Sequence, residues 1–173
     1  MYLHKLLPHY YVPIILSNKG KLDYIKHIID EESEVDFVNN LIAHIGYNSN
    51  CDWIFSKIDQ TIDDKAIAMP YYNQKLNCFS NFFPDFIFWK KQENNYTVTF
   101  VDPKGTAHTD YQLKVDDFER MFTNSGTPKV FHDRHKKYNI TFRLILVYNP
   151  KNPQSISAKY SSYWRSNNDF SWL

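Results

Sequence analysis

Two short apolar runs on either side of a polar segment form the most distinctive pattern in this chain. The runs are PDFIFW, which starts at residue 84, and YTVTFVD, which starts at residue 96, and the polar segment KKQENN separates them. Alternating apolar residues are typical of strands, and a polar segment between two such runs is typical of a turn. The pattern therefore predicts a β-hairpin from Asp85 to Asp102, with Ile87 and Phe88 on opposite faces.

Helical spacing of apolar residues predicts helices on both sides of this hairpin. Ser33 has the character of an N-cap for a long helix that ends near Gly46, where glycine suits the helix end. A second long helix is predicted from Tyr111 to Phe122, and a shorter one from Leu22 to Ile29. The two long helices thus flank the hairpin in the sequence, one before it and one after it.

The remaining apolar segments predict the other strands of a sheet. The segment ITFRLILVY, from Ile140 to Tyr148, is apolar on both faces, which is typical of a central strand. The segment Ala66–Tyr72 is predicted as the first core strand, and Asn73–Asn81 as a polar turn after it. The order is helix, three strands, helix and strand, which predicts an α/β sandwich with a mixed central β-sheet flanked by helices.

Two other segments are predicted less specifically. Cys51–Lys65 reads as an aromatic and acidic connection in which Trp53 and Phe55 pack. The aromatic tail Ser155–Leu173 either packs as a short helix or stacks on a partner, and its sequence favours neither.

Length and composition indicate one domain. The 173 residues are predicted to form a single unit with a core of about 33–149, an amino-terminal extension of 1–32 and a carboxy-terminal tail of 150–173. The formal net charge of +1 is not that of a general nucleic-acid-binding protein. Two cysteines make no disulfide framework, and no apolar run is long enough to span a bilayer, which together favour a cytoplasmic protein without membrane contact.

Two carboxylates and a lysine are expected at one end of the predicted hairpin. Asp85 opens the first strand, Asp102 closes the second, and Lys104 follows two residues later. Neighbouring carboxylates repel each other unless a cation compensates, and Mg²⁺ takes one or two carboxylates together with water and phosphate oxygens. A metal held there polarises a phosphodiester, and a lysine stabilises the developing charge. The alternative is a hairpin whose ends carry solvated charges.

The sequence around these residues resembles that of a nuclease superfamily. Pro84-Asp85 followed by Asp102-Pro103-Lys104 resembles the PD-(D/E)XK motif, with aspartate as the second acid. An ordered set of longer blocks between residues 9 and 148 resembles the carboxy-terminal nuclease domain of type III restriction endonuclease Res subunits: HYYVPIIL, HIIDEESEVDFVNNL, AIAMPYYN, FFPDFIFW and FVDPKGTAHTDYQLKVDDF. The resemblance implies a restriction-endonuclease-like fold.

The same resemblance implies roles for individual residues. Asp85, Asp102 and the carbonyl of Pro103 would hold Mg²⁺, and Lys104 would position the attacking water. Glu34, in SEVDFVNNL, matches an acid on the helix before the central sheet, where it would hold a second metal ion or a water and project toward Asp85. Without such a role, Glu34 complements the helix dipole.

The implied activity is that of a magnesium-dependent DNA endonuclease from a restriction system. In-line attack on phosphorus would leave a 5′-phosphate and a 3′-hydroxyl. No GxxxxGK[ST] loop occurs in the chain, so the ATPase or helicase motor would be a separate partner, and the chain is either an excised domain or a separately encoded nuclease piece. The resemblance further implies a methyltransferase modification subunit as a partner. The alternative is a catalytically silent domain of this fold that binds nucleic acid or a partner protein. A metal site contacts phosphate and does not distinguish DNA from RNA.

Several further polar residues remain candidates for contact with nucleic acid. Gln112 and Lys114 lie near the predicted site, but plain surface positions are favoured for both. A basic stretch forms either a phosphate-facing patch or a solvated loop, and both readings stay open. Its members are Lys129, Arg134, His135, Lys136 and Lys137.

Overall fold

The structure, a computed structural model, describes residue 9 and residues 31–45, 52–58, 67–103, 111–135, 137–148 and 156–173. The elements in this part of the chain are, in order, α1 (Glu32–Ile45), β1 (Trp53–Lys57), β2 (Met69–Asn73), β3 (Cys78–Phe82), β4 (Phe86–Gln92), β5 (Asn95–Asp102), α2 (Tyr111–Phe122), β6 (Thr123–Asn124), β7 (Thr127–Pro128), β8 (Phe131–His132), β9 (Asn139–Tyr148), a 3₁₀ helix (Ala158–Tyr163) and β10 (Trp164–Ser166).

A mixed six-stranded sheet lies at the centre of the fold. Its strand order is β1-β4-β5-β9-β10, and the short β8 pairs with the beginning of β9. Strands β1, β4 and β5 are antiparallel, whereas β9 runs parallel to both β5 and β10. The chain passes from β5 to β9 through α2. This arrangement confirms the predicted α/β fold with a mixed sheet, and it confirms the strand Ile140–Tyr148 as central.

The predicted hairpin is confirmed as β4 and β5. Its register runs from the pair Phe86 and Val101 to the pair Gln92 and Asn95. Glu93 lies at the tip with a φ of 53°, a left-handed conformation that closes the turn. This register places residue 85 and residue 102 at the same open end, as the alternation predicted.

The segment Ala66–Tyr72, predicted as the first core strand, does contain a strand with the buried Met69 and Tyr71, but its expected place in the central sheet was wrong. Residues 69–73 form β2, which pairs with β3 in a separate two-stranded sheet, and the predicted turn Asn73–Asn81 contains most of β3. The turn itself is shorter, and Asn73 Oδ1 accepts hydrogen bonds there from the backbone N–H of Lys75 and Leu76. The place in the central sheet is taken by β1, which was expected to be a connection. Alternation reveals a strand but does not tell which sheet it joins.

Helix α1 covers one face of the sheet. It begins before Ser33, because the carbonyl of Glu31 accepts the N–H groups of Glu34 and Val35 at 3.0 Å each, so Ser33 is not the N-cap. The core on this face combines helix and strand side chains with two aromatics from the end of the chain. They are Phe37, Val38, Leu41, Ile42, Ile45, Trp53, Phe55, Phe86, Phe88, Val101, Ile145, Val147, Phe170 and Trp172.

Helix α2 covers the opposite face, and its bounds agree with the prediction. Val115 and Phe118 are its buried residues, and they pack against alternate residues of the same strands, such as Ile87 and Phe100. The sheet is therefore enclosed between two helical layers, which separates the fold into an α1 face and an α2 face.

The aromatic tail packs onto both faces. Tyr160 and Trp164 join the core on the α2 face, while Phe170 and Trp172 join the core on the α1 face. Trp172 meets the ring of Phe88 edge-on, with the ring centroids 5.0 Å apart. Of the two readings that the sequence left open, packing is the one that the structure shows.

Some predictions concern residues outside the described ranges. These are the short helix Leu22–Ile29, the helix end at Gly46, and the positions of Lys104 and Lys136. Within the described ranges, neither α1 nor α2 has the length and apolar character needed to cross a membrane.

Candidate functional site

Three buried carboxylates lie at the end of the hairpin where strand β5 finishes. The residues Glu34, Asp85 and Asp102 are 2%, 3% and 6% exposed. Asp85 directly precedes β4, and its N–H donates to the carbonyl of Val101 at 3.1 Å, while Asp102 is the last residue of β5. Charged side chains are seldom buried to this degree without a partner that compensates the lost hydration.

Glu34 and Asp85 share the ammonium group of Lys57. The Nζ atom of Lys57 lies 2.9 Å from both carboxylate oxygens of Glu34 and 3.6 Å from Oδ1 of Asp85. Glu34 stands in the first turn of α1, and Lys57 is the last residue of β1. The expectation that Glu34 faces the hairpin near Asp85 therefore agrees with this geometry, with a lysine between the two acids.

Asp102 has a different lysine as its partner. The Nζ atom of Lys114 in α2 lies 3.4 Å from Oδ2 of Asp102 and 4.4 Å from the ring centroid of Phe82. The side chain of Lys114 is 19% exposed, so its prediction as a plain surface residue was wrong. Gln112, by contrast, is exposed as predicted.

The two lysines approach from opposite layers of the fold. Lys57 is ion-paired with α1, which covers one face, whereas Lys114 belongs to α2 on the other face. Lys57 thus reaches Asp85 from the α1 layer and Lys114 reaches Asp102 from the α2 layer, while the register of β4 and β5 sets residues 85 and 102 opposite each other. The two strand ends adjoin, but the described ion pairs bind the two aspartates separately.

The oxygen donors fit Mg²⁺ in kind and in number. In the described part of the chain, no group of three or more His, Cys, Asp or Glu side chains is arranged to hold a metal ion. Mg²⁺ is commonly held by one or two carboxylates, with water and phosphate oxygens as the other ligands. Asp85 and Asp102, together with the carbonyl of the buried Pro103, supply a donor set of that size. Glu34 is bound through both oxygens to Lys57.

Only part of the basic stretch is described at the other end of the sheet, since Lys129 instead donates to the carbonyls of Arg120 and Met121 at the end of α2. Asn139 opens β9 and pairs with Asn95 at the hairpin tip, and the ring of Tyr138 meets Tyr96 edge-on at 5.3 Å. Strand β5 separates this end from Asp102 by about 23 Å, at a rise of 3.3 Å per residue. Arg134, His135 and Lys137 are therefore remote from the carboxylates, although they are exposed.

Lys57 is the site residue that sequence reasoning missed. Trp53 and Phe55 are buried in the core of the α1 face, and Lys57 occupies the next alternate position of β1, although Ser56 between them is also buried. The spacing of Trp53, Phe55 and Lys57 at every second residue was the available signal. It was not used, because this segment was expected to be a connection.

Comparison with known proteins identifies the family of the chain. No curated protein and no solved structure matches it. A family model, by contrast, matches residues 25–162, which include both helices, the hairpin and all three buried carboxylates. Since the match spans most of the sequence, this chain belongs to the YagJ family.

Proposed function

We propose that this protein is a magnesium-dependent DNA endonuclease domain that hydrolyses phosphodiester bonds. The observation that carries the proposal is the burial of Asp85 and Asp102 on adjoining strand ends of one hairpin. Burial of two neighbouring acids lowers the stability of the folded protein. Such an arrangement is found more often where the charges serve a function. The motif that contains both residues resembles the PD-(D/E)XK superfamily, and the mixed sheet agrees with a restriction-endonuclease-like fold.

Each residue of the site would have a separate role in catalysis. Asp85 and Asp102, with the carbonyl of Pro103, would hold Mg²⁺, which supplies Lewis-acid polarisation of a phosphodiester. Lys104 would orient the attacking water and offset negative charge that develops on phosphate oxygens. Lys114, which pairs with Asp102 at 3.4 Å, would fix the orientation of that carboxylate from α2. Glu34 would act on Asp85 through Lys57.

The partners in this proposal follow from the resemblance to type III restriction enzymes. DNA would be the substrate, and a separate motor domain and a methyltransferase modification subunit would supply translocation and target recognition in the cytoplasm. A duplex that lies along the sheet would contact Arg134 or Lys137 far from the cleaved phosphate.

A catalytically silent domain of the same fold is the second candidate. The observation that favours it is that lysines already neutralise the acids, at 2.9 Å for Glu34 and 3.4 Å for Asp102. In that case the domain would bind nucleic acid or a partner protein, and the ion pairs would be structural.

A plasmid cleavage assay distinguishes the endonuclease from the catalytically silent domain. Supercoiled DNA is incubated with the full chain in Mg²⁺, in Ca²⁺ and in EDTA, and a labelled RNA of matching length is included as a second substrate. Nicking in Mg²⁺ that is lost in EDTA and in Asp102→Ala supports the endonuclease. Exposed Ser171→Ala, outside the candidate site and the basic stretch, is the control and is expected to cleave like wild type. Equal behaviour of wild type and Asp102→Ala in all three buffers would support the silent domain.

A further inference from the structure

One ammonium group serves two buried carboxylates on the α1 side of the site. The Lys57 side chain is 12% exposed, and those of Glu34 and Asp85 are 3% exposed each. Two negative charges against one positive charge leave this group of three with a formal net charge of −1. Within this group the two carboxylates therefore compete for one ammonium group.

The backbone fixes the position of this ammonium group. Lys57 pairs with Phe86 in the register of β1 and β4, and its Nζ atom lies 5.4 Å from the Phe86 ring centroid. The next residue, Ile58, donates its N–H to the carbonyl of Asp85 at 2.8 Å. The backbone next to Lys57 is therefore hydrogen-bonded to Asp85, which is also the residue that the Lys57 side chain contacts.

The two contacts of the ammonium group differ in length. Lys57 lies 2.9 Å from each oxygen of Glu34, whereas Oδ1 of Asp85 lies 3.6 Å away. The Glu34 contact has the length of a charge-assisted hydrogen bond, and the Asp85 contact is longer than that range. The contact of Lys57 with Asp85 is thus the weaker of the two. A competing cation would break this contact more easily than the contact of Lys57 with Glu34.

We propose that Lys57 is an internal competitor of Mg²⁺ for Asp85, and that Glu34 is the residue that anchors Lys57. In the absence of metal the ammonium group draws Asp85 toward the α1 layer. A divalent cation takes Asp85 from it, so that part of the metal-binding energy is spent on breaking the Lys57 contact. Lys57 thereby sets the Mg²⁺ concentration at which the site fills. This inference rests on the proposed function, and it changes the role of Glu34 from metal ligand to positioning residue.

Calorimetric titration of the full chain with Mg²⁺ alone tests this role. Lys57→Gln removes the charge and keeps a side chain that donates a hydrogen bond to Glu34, and we expect it to bind Mg²⁺ about tenfold more tightly than wild type. Lys159→Gln is the matched control, because Lys159 is also paired with an acid, Asp116, at 2.6 Å, but touches none of the three carboxylates. Its affinity for Mg²⁺ is expected to equal that of wild type. An unchanged or weaker affinity in Lys57→Gln overturns the proposal.

Glu34→Gln provides a second variant that retains Lys57. Without its anchor, Lys57 pairs with Asp85 alone, and Mg²⁺ binding is expected to weaken severalfold. In Glu34→Gln/Lys57→Gln the Glu34 substitution is expected to have no further effect, because it acts only through the lysine. If Glu34→Gln weakens binding equally with and without Lys57, Glu34 is a metal ligand and the proposal fails.

The cleavage assay separates this proposal from the proposed function. Mg²⁺-dependent cleavage by wild type, together with no tightening in Lys57→Gln, refutes the role of Lys57 alone. Tighter Mg²⁺ binding in Lys57→Gln without any cleavage by wild type refutes the nuclease and leaves the role of Lys57 in place. Absence of Mg²⁺ binding in both wild type and Lys57→Gln overturns the proposed nuclease function and the proposed role of Lys57.

Discussion

The ammonium group of Lys114 in α2 lies 3.4 Å from the carboxylate of Asp102 at the end of β5. This contact connects the helix of the β5–β9 crossover to the strand that carries the candidate site. Because the two side chains are only 19% and 7% exposed, the pair is largely shielded from water. Removal of Lys114 would take a positive charge away from a buried carboxylate.

We predict that Lys114→Met lowers the free energy of unfolding by about 2 kcal/mol, somewhat less than for a fully buried pair. Urea denaturation of the metal-free protein measures this change. Arg120→Met is the matched control on the same helix, since Arg120 pairs with Asp117 at 2.7 Å but is 63% exposed. The control is expected to lose less than about 0.5 kcal/mol. Equal losses in the two variants would show that the Lys114 contact is an ordinary surface ion pair.

Asp85→Asn is predicted to stabilise the metal-free protein. Glu34 and Asp85 compete for one ammonium group, so removal of one negative charge relieves repulsion, while the 2.9 Å contact of Lys57 with Glu34 remains. We expect the midpoint of thermal unfolding in EDTA to rise by about 2–4 °C, which corresponds to about 1 kcal/mol for a chain of this size. Cleavage is expected to be lost in the same variant. A lower midpoint would instead make Asp85 a structural residue.

The end of the chain is predicted to be required for a stable fold. Trp172 is 9% exposed and contacts Phe88 in the core of the α1 face. Trp172→Ala is expected to cost about 3–5 kcal/mol of unfolding free energy, as for other large aromatic residues in cores. The neighbouring Ser171 is exposed, and Ser171→Ala is the control, with little expected change. Urea unfolding checks both, and a tail that only covers a partner-binding surface would give no large difference.

Asp133 is predicted to make stability depend on pH in the acid range. The hydrogen bond from the N–H of Tyr138 holds the pKa of this carboxyl below its ordinary value of 3.8, with further N–H donors from Lys137 and His135. The folded state therefore binds this proton less readily than the unfolded state. The stabilisation is present above about pH 4 and is lost as the pH falls through the lowered pKa. Urea midpoints measured from pH 5 downward should fall less steeply in Asp133→Asn than in wild type.

The hairpin and α2 could be predicted from the sequence because local pattern determines them. Alternation from Phe86 to Val101 and the turn residues near Glu93 act between neighbours in the chain, and the spacing of Val115 and Phe118 marks a helix face. The sheet to which a strand belongs depends on contacts between residues distant in the sequence. The segment from Met69 to Asn73 alternates like a core strand, yet it pairs with β3 outside the central sheet.

The candidate site could be predicted only in part for a related reason. Asp85 and Asp102 are brought to one end by the hairpin, whose geometry follows from the local sequence. The contacts of Lys57 and Lys114 depend on where β1 and α2 pack, which no local pattern fixes. Lysines are usually solvated, so their burial beside the acids could not be read from residue type.

We propose that Asp85 and Asp102 act together in one Mg²⁺ site. The most direct test is calorimetric titration of Mg²⁺ into wild type, Asp85→Asn and Asp102→Asn, with the exposed Gln112→Ala as a control. We predict a site in wild type and in the control that is lost in both aspartate variants, since Mg²⁺ requires the paired carboxylate oxygens. Absence of binding in wild type, or binding that survives either substitution unchanged, would contradict the claim.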